Sequence, residues 1–459
     1  MSTGFAEAAD QTRADQTGTD RTGADRTDSA GRPPGSLLRL ATCGSVDDGK
    51  STLVGRLLYD TKSVLADQAT AIEEVSRRRG QDGPDLALLT DGLRAEREQG
   101  ITIDVAYRYF ATPARRFILA DTPGHVQYTR NMVTGASTAD LAVILVDARN
   151  GVVAQTMRHG AIAALLRVPH VVLAVNKMDT VDYRESAFTT IADEFARRAG
   201  ELGIADVTAI PMSALTGDNV VEPSTRMDWY DGDTLLAHLE NVPVGTEPVR
   251  RPMRLPVQYV IRHPSEQRQV VERWPAGQLV SGDLKVGDHV VVQPSGETST
   301  VVGLSVLGQE ADSVRAPQSV AVRLADEIDI SRGDLLSAGP TPQLLRHITA
   351  SVCHLHDRPL RARQRVLLKH TTRTVQAMVE RIDYRTDVTD ARRLPCEDGL
   401  CVNEIGGVRI RTAEPLAVDD YRQNRRTGSF LLIDPQDGAT LAAGMIDAGP
   451  RTGRAPAGH

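Results

Sequence analysis

A glycine-rich segment set between an apolar run and an amphipathic one constrains the fold of this chain more than any other feature. The segment fits the pattern G-x-x-x-x-G-K-[ST] and consists of Gly44, Ser45, Val46, Asp47, Asp48, Gly49, Lys50 and Ser51. The preceding run Leu37–Cys43 is typical of a strand, and apolar residues recur at helical spacing from Leu53 to Leu58. A strand, a loop and a helix in this order surround an anion with backbone N–H groups at a helix N-terminus. The pattern predicts a phosphate-binding loop, although taken alone it also fits a glycine turn that caps a helix.

Two side chains of this loop and one following motif carry the predicted phosphate chemistry. Lys50 is placed to reach β- and γ-phosphates, and the Ser51 hydroxyl to ligate Mg²⁺. A second strand-like run, Phe117–Ala120, leads into Asp121, Thr122, Pro123 and Gly124, with His125 immediately after. We expect Asp121 to present a carboxylate to Mg²⁺ through a water, and the Gly124 N–H to approach a γ-phosphate.

A further hydroxyl ligand for Mg²⁺ is expected from a short segment between these two motifs. The segment consists of Gly100, Ile101, Thr102, Ile103 and Asp104. We expect Thr102 to provide the ligand, on a loop that becomes ordered when a γ-phosphate is bound. Taken alone, the segment fits a solvated surface loop better, because the residues Arg94–Gln99 before it are strongly charged.

The motif that selects the base follows another strand-like run, Val171–Val175. It consists of Asn176, Lys177, Met178 and Asp179. The Asp179 carboxylate can accept from both the ring N–H and the exocyclic amine of guanine, whereas adenine would leave that carboxylate unpaired. The Lys177 stem can lie over the base, and the segment Ser213, Ala214 and Leu215 can offer backbone N–H groups to the guanine oxygen. The expected nucleotide is therefore GTP.

Composition limits the classes of partner and compartment. The 459 residues suggest about three domains. A net charge of −7 argues against a broad nucleic-acid-binding surface. Four cysteines without C-x-x-C spacing, and the lack of a membrane-spanning apolar stretch, favour a reducing, cytoplasmic location. A metal site that joins Cys396 and Cys401 to His354 and His356 is an alternative to the commoner packing roles.

The distribution of apolar runs predicts five segments. Residues 1–36 carry an Asp-Gln-Thr or Asp-Arg-Thr repeat with little apolar content, which predicts a disordered tail. Strand-like and helical patterns alternate over 37–245, which predicts an α/β P-loop GTPase domain with a doubly wound, mostly parallel sheet. Short β-type runs, the first at Val257–Ile261, follow over 246–345 and 346–447, which predicts two antiparallel β-barrels. Residues 448–459 are expected to form a second tail.

Longer motifs resemble those of one family within the translation-factor group of GTPases, the large GTPase subunit of bacterial sulfate adenylyltransferase. The resemblance lies in the form of the loop Gly44–Ser51, in Asp91–Phe110, in Asp121–Gly135 and in Asp326–Leu336. Asp48 stands where translation factors usually carry histidine. The chain departs from the family pattern at Val126, in Arg273–Gly277 and in Pro395–Val402, all outside the motifs that contact the nucleotide.

This resemblance implies both residue roles and a reaction. It implies that His125 positions the attacking water, that Thr102 is the switch ligand and that Asn176, Lys177 and Asp179 recognise guanine. It further implies that GTP hydrolysis with Mg²⁺ drives a separate small ATP-binding subunit, which makes adenosine 5′-phosphosulfate and pyrophosphate from ATP and sulfate. Neither nucleic acid nor a membrane is expected as a partner. The alternatives are an elongation-factor-like carrier of RNA and a paralogue that is not coupled to sulfate activation.

Overall fold

In a computed structural model of the chain, the segments around the glycine-rich loop form a six-stranded sheet flanked by helices. The structure describes residues 36–64, 70, 76–77, 86–89, 105–124, 129–244, 251–264, 271–387 and 392–449. The sheet strands are β1 (Leu37–Cys43), β2 (Ala106–Ala111), β3 (Arg116–Asp121), β4 (Leu141–Asp147), β5 (His170–Asn176) and β6 (Val207–Pro211). The helices are α1 (Lys50–Asp60), α2 (Thr129–Ala136), α3 (Ala154–Leu165), α4 (Glu185–Glu201) and α5 (Leu235–Asn241), with short 3₁₀ helices at Leu86–Leu89 and Met178–Val181.

The order of strands in this sheet is β2-β3-β1-β4-β5-β6, and only the pairing of β2 with β3 is antiparallel. Strand β4 is buried along its whole length, as expected for a parallel strand that is covered on both faces. The predicted mostly parallel sheet is confirmed. Because β1, β3, β4 and β5 run in the same direction, their carboxyl ends lie along one edge, where ligands bind in such sheets.

The first barrel contains β7 (Met253–Pro256), β8 (Tyr259–Pro264), β9 (Val271–Gln278), β11 (His289–Gln293), β12 (Thr298–Val306), β13 (Gln309–Ala311), β15 (Ser319–Leu324) and β16 (Leu335–Ala338). The strands β10 (Asp283–Lys285) and β14 (Ser313–Arg315) form a separate two-stranded sheet. The predicted β-type run Val257–Ile261 overlaps β8 from Tyr259 onward, but Val257 and Gln258 lie outside the strands, where the backbone changes partner. β7 pairs with β16, whereas β8 pairs with β9. An apolar run does not reveal such a change of partner. Gly277 allows β9 to approach the end of β7, since a Cβ there would collide with the Pro256 carbonyl.

The second barrel contains β17 (Gln343–His354), β18 (Arg365–His370), β19 (Arg373–Thr386), β20 (Arg393–Leu394), β21 (Ile405–Val418), β22 (Ser429–Ile433) and β23 (Thr440–Ile446). The strand order is β18-β22-β23-β17-β21-β19-β20, and a further pairing of β18 with β19 closes the ring. The core is formed by alternate residues of these antiparallel strands, as in Ile348, Ala350 and Val352 of β17. The two predicted antiparallel barrels are therefore present.

Buried polar contacts join the two barrels to each other and to the sheet. Arg254 of the first barrel donates to both carboxylate oxygens of Asp419, at 2.9 and 3.1 Å, and the Thr427 hydroxyl donates to the same carboxylate. The Tyr421 hydroxyl donates to the Leu166 carbonyl of the nucleotide domain at 2.9 Å. These bonds fix the second barrel against both neighbours. Within the described ranges, no helix has the length and apolar character needed to cross a membrane.

Candidate nucleotide site

The phosphate loop links β1 to α1 and wraps around the Lys50 side chain. The Lys50 ammonium is buried and donates to the carbonyls of Gly44 at 2.8 Å and Ser45 at 2.7 Å. Burial lowers the pKa of Lys50, and the charges of Asp121 and Asp48 oppose that shift. A buried ammonium that carbonyls hold in this way is poised for an anionic ligand, whose charge would favour its protonated form.

Asp48 closes the loop on itself. Its Oδ2 accepts a hydrogen bond from the Ser45 N–H at 2.5 Å, and burial raises the pKa of this carboxyl. The next residue, Gly49, has a φ of 91°, and a Cβ there would collide with the Asn176 amide. The second glycine of the motif is therefore required by both its left-handed backbone and the close approach of the base-recognition motif.

The predicted Mg²⁺ side of the site lies at the carboxyl ends of β1 and β3. The Asp121 carboxylate is buried and accepts from the Thr42 hydroxyl at 3.0 Å, while the Thr122 hydroxyl donates to the Thr42 carbonyl at 2.6 Å. Gly124 lies against the phosphate loop, where a Cβ would collide with the Gly44 carbonyl and the Lys50 ammonium. The D-x-x-G motif and the phosphate loop are thus in contact, as their predicted roles require.

Asn176 connects the base side of the site to the phosphate loop. Its Nδ2 donates to the Asp48 carbonyl at 2.8 Å, and its Oδ1 accepts from the Ala214 N–H at 2.9 Å. Lys177 donates to the Asp47 carbonyl through its ammonium. The Asp179 Oδ1 accepts from the Ser213 hydroxyl at 2.6 Å, which orients this carboxylate. Three of the four sequence motifs therefore meet at one edge of the sheet.

The segment Ser213–Leu215 differs in detail from the expectation that it offers N–H groups to guanine. The Ser213 N–H donates to the Asp218 carbonyl, and the Ala214 N–H donates to Asn176. Base recognition through either group would require those bonds to be shared or exchanged. Arg56 of α1 binds the carbonyls of Ala214 and Leu215, at 3.2 and 2.6 Å, which holds the segment beside the loop.

Two polar residues at this edge of the sheet are not among the residues predicted from the sequence. Asp147 ends β4 and binds both Arg149 and Lys177. Gln155 of α3 donates to the Gly124 carbonyl at 3.2 Å and lies 2.9 Å from the Nε2 of the buried His159. Asp147 could have been found, because it directly follows a fully apolar strand, as Asp121 and Asn176 do. Gln155 gives no comparable signal in the sequence.

Several predicted residues lie outside the described residues. These are Gly100, Ile101, Thr102, Ile103, Asp104 and His125. Among the residues that the structure does describe, no group of three or more histidine, cysteine, aspartate or glutamate side chains could hold a metal ion. The alternative metal site around Cys396 and Cys401 therefore has no support. His354 is instead buried, with its Nε2 at 2.8 Å from the Arg358 carbonyl.

Comparisons with known proteins cover most of the chain. Residues 36–254 match the family described as Elongation factor Tu GTP binding domain, and residues 347–447 match the family described as GTP-eEF1A C-terminal domain-like. A Mycobacterium tuberculosis protein named Bifunctional enzyme CysN/CysC is 52% identical over 421 residues, which are 91% of this chain and 68% of that protein. Two proteins named Sulfate adenylyltransferase subunit 1, from Aeromonas hydrophila and Salmonella typhi, are each 48% identical. Their alignments cover 90% of this chain and 86% and 85% of those proteins.

Proposed function

This chain belongs to the family of sulfate adenylyltransferase subunit 1, and from that membership we propose how it acts in sulfate activation. It binds GTP with Mg²⁺ and hydrolyses it. The hydrolysis drives a separate small ATP-binding subunit in the cytoplasm, which forms adenosine 5′-phosphosulfate and pyrophosphate from ATP and sulfate. The product is a mixed phosphoric–sulfuric anhydride of high energy, so coupling to a second nucleotide favours its formation.

The observation that carries this proposal is the direct bonding of the base motif to the phosphate loop. Asn176 donates to the Asp48 carbonyl, and Lys177 donates to the Asp47 carbonyl. One guanine nucleotide can therefore extend from Asp179, which recognises the base, to Lys50, which recognises the phosphates. All the phosphate-binding and base-binding motifs of the sequence belong to this one site, so the adenylyl transfer is assigned to another polypeptide.

The residues at the phosphate end fit Mg²⁺. Ser51 and Asp121 provide hydroxyl and carboxylate oxygens, the ligand types that this hard cation takes in proteins, and Thr102 is proposed as a further ligand. Bound Mg²⁺ would neutralise negative charge on the phosphates. Lys50 stabilises the charge that develops between the β- and γ-phosphates, and His125 is proposed to orient the attacking water.

The test compares the purified full chain alone with the chain supplemented by the small ATP-binding subunit. Release of phosphate from GTP and formation of adenosine 5′-phosphosulfate are measured in parallel. We expect slow GTP hydrolysis and no adenosine 5′-phosphosulfate from the chain alone. The small subunit should accelerate GTP hydrolysis, and ATP with sulfate should accelerate it further, because coupling between two sites acts in both directions.

Three results would contradict the proposal. Adenosine 5′-phosphosulfate made by the chain alone would place the adenylyl-transfer site here. GTP hydrolysis that is indifferent to the small subunit would identify an uncoupled paralogue. Retention of RNA by the chain with GTP but not with GDP would identify a carrier of RNA. The variant Asp179→Asn is the specificity control, since it should shift preference from guanosine to xanthosine nucleotides.

A further inference from the structure

The base side of the nucleotide site contains a cation that the sequence motifs do not include. Arg149 follows β4 and binds the Asp147 carboxylate with two side-chain bonds, from Nε to Oδ1 at 3.0 Å and from Nη2 to Oδ2 at 2.6 Å. The Arg149 backbone N–H donates to the same Oδ1 at 2.9 Å. This bidentate arrangement fixes the guanidinium plane as well as its position.

The same carboxylate also holds Lys177 of the base motif. The Lys177 ammonium lies 3.0 Å from the Asp147 Oδ2, the oxygen that Arg149 Nη2 contacts. Burial would raise the pKa of Asp147, but the bonds from Arg149 and Lys177 outweigh burial and lower it. Asp147 is therefore ionised, and it fixes two cations next to each other.

The Lys177 backbone has an unfavourable conformation, and its side chain is anchored at the far end. Its φ is 64°, in the left-handed region that costs a non-glycine residue free energy and persists only where neighbouring contacts impose it. The side-chain ammonium is held by two partners, the Asp47 carbonyl and the Asp147 carboxylate. Both contacts fix the ammonium, so the aliphatic stem of Lys177 is held between its backbone and that one point.

Arg149 is the exposed member of its pair with Asp147. Its side chain is 53% exposed, whereas that of Asp147 is 1% exposed. Hydrogen bonds to Asp147 raise the pKa of Arg149, with a smaller contribution from the charge of Asp179. The guanidinium thus lies within electrostatic reach of the carboxylate that is assigned to guanine.

We propose that Asp147 and Arg149 are positioning residues for the guanine base: Asp147 holds Lys177 in its base-binding position, and Arg149 holds the Asp147 carboxylate in place through its bidentate contact. This inference deepens the proposed function and rests on it. Because the pair acts on the part of the nucleotide that GTP and GDP share, it contributes equally to the binding of both.

The test measures dissociation constants for GDP and for guanylyl imidodiphosphate with fluorescent nucleotides, on the full chain with Mg²⁺. Asp147→Asn should weaken both by about tenfold, the size expected when a hydrogen bond to a charged group is lost. Arg149→Ala should weaken both by about threefold, because an exposed ion pair contributes less. Arg149→Lys should bind both nucleotides more tightly than Arg149→Ala but more weakly than the wild type, since a lysine cannot make the bidentate contact. The matched control is Arg197→Ala, which removes a similarly exposed arginine that binds Glu201 at 3.0 Å on α4, and it should change neither constant.

Two further measurements separate positioning from a purely structural role. With the small subunit present, the variants should raise the KM for GTP and leave kcat at saturating GTP unchanged, as expected when only uniform binding is lost. The thermal unfolding of nucleotide-free Arg149→Ala should match that of the wild type. Unchanged dissociation constants in Asp147→Asn, or weaker binding of the triphosphate analogue alone, would overturn this inference. The proposed function would stand in that case, provided that the wild-type chain still hydrolyses GTP. A wild-type chain that binds ATP and GTP equally would instead refute the proposed function.

Discussion

Two aspartates in this molecule each bind an arginine through both carboxylate oxygens, and their surroundings differ. Asp419 binds Arg254 in the contact between the barrels, where the side chains are 5% and 1% exposed. Asp147 binds Arg149 at the nucleotide site, where the aspartate is buried and the arginine is half exposed. The first pair also bonds to Thr427 and to backbone carbonyls, such as that of Pro340 at 2.6 Å. The second pair shares its carboxylate with Lys177.

The difference separates a structural ion pair from one that serves a ligand. In the inter-barrel contact, both carboxylate oxygens of Asp419 are bonded within the protein, so the pair holds two barrels in one arrangement. Removing one partner from such a pair leaves a buried charge without compensation. At the nucleotide site, the exposed cation remains accessible and its pairing contributes little to stability. The same chemical pair therefore acts on folding in one place and on binding in the other.

The largest expected effect tests the structural half of this comparison. Asp419→Ala should lower the free energy of unfolding by about 3–5 kcal/mol, because Arg254 would remain buried and unpaired. Urea denaturation followed by circular dichroism measures the change. Asp329→Ala is the control, since Asp329 is 92% exposed in its pair with Arg273 and its loss should have little effect. An equal effect of the two substitutions would show that burial does not distinguish these pairs.

A second substitution tests the connection between the base motif and the phosphate loop. Asn176→Ala should lower the free energy of unfolding by about 2–3 kcal/mol, since the Asp48 carbonyl and the Ala214 N–H each lose a buried hydrogen bond. It should also weaken GDP binding, which the Asp419→Ala variant should retain while folded. Thr180→Ala removes an exposed hydroxyl bonded to the Lys177 carbonyl and is the matched control. Wild-type GDP affinity in Asn176→Ala would contradict the assignment.

A third prediction concerns pH and the buried His159 beside the nucleotide site. Burial, with smaller contributions from Lys50 and Arg158, lowers the pKa of His159 to about 3. Below a pH of about 6.5 this histidine takes up a proton in the unfolded chain but stays neutral in the folded chain. The free energy of unfolding therefore decreases as the pH is lowered, until the pKa of the folded state is reached. Between pH 7 and pH 5 this loss should be about 2 kcal/mol. In His159→Gln, urea denaturation at both pH values should show a loss that is smaller by this amount, since the lowered pKa values of His238, His354 and His370 contribute in both proteins. Parallel losses in the two proteins would show that His159 titrates normally.

The smallest effect is expected where the second barrel contacts the nucleotide domain. Tyr421→Phe removes the hydroxyl that donates to the Leu166 carbonyl at 2.9 Å. The free energy of unfolding should fall by about 1 kcal/mol, the usual net contribution of one buried hydrogen bond. Thermal unfolding gives the measurement. A change as large as that of Asp419→Ala would mean that this neutral contact, rather than the ion pair, dominates the attachment of the barrel.

Much of the nucleotide site could be predicted from the sequence because its motifs are local. The loop Gly44–Ser51 and the motif Asn176–Asp179 each combine a strand end with a turn of fixed geometry. The pattern of apolar residues therefore placed them at the same edge of a parallel sheet. The β-type run Val257–Ile261 begins two residues before β8, and the sequence misplaces that start for the opposite reason. Its apolar character is local, but the break between β7 and β8 depends on the strands β16 and β9, with which β7 and β8 pair.

The sequence by itself determined the classes of fold, ligand and family. Those depend on short-range patterns, in which the spacing of glycines, polar residues and apolar runs fixes the backbone and the chemistry together. Only the tertiary structure decided which charges become partners. Most of the sequence of both barrels lies between Arg254 and Asp419. Asp147 and Lys177 lie at the ends of the neighbouring strands β4 and β5. Pairing at such separations is set by how sheets pack, and burial then decides whether each pair stabilises the fold or remains available to a ligand.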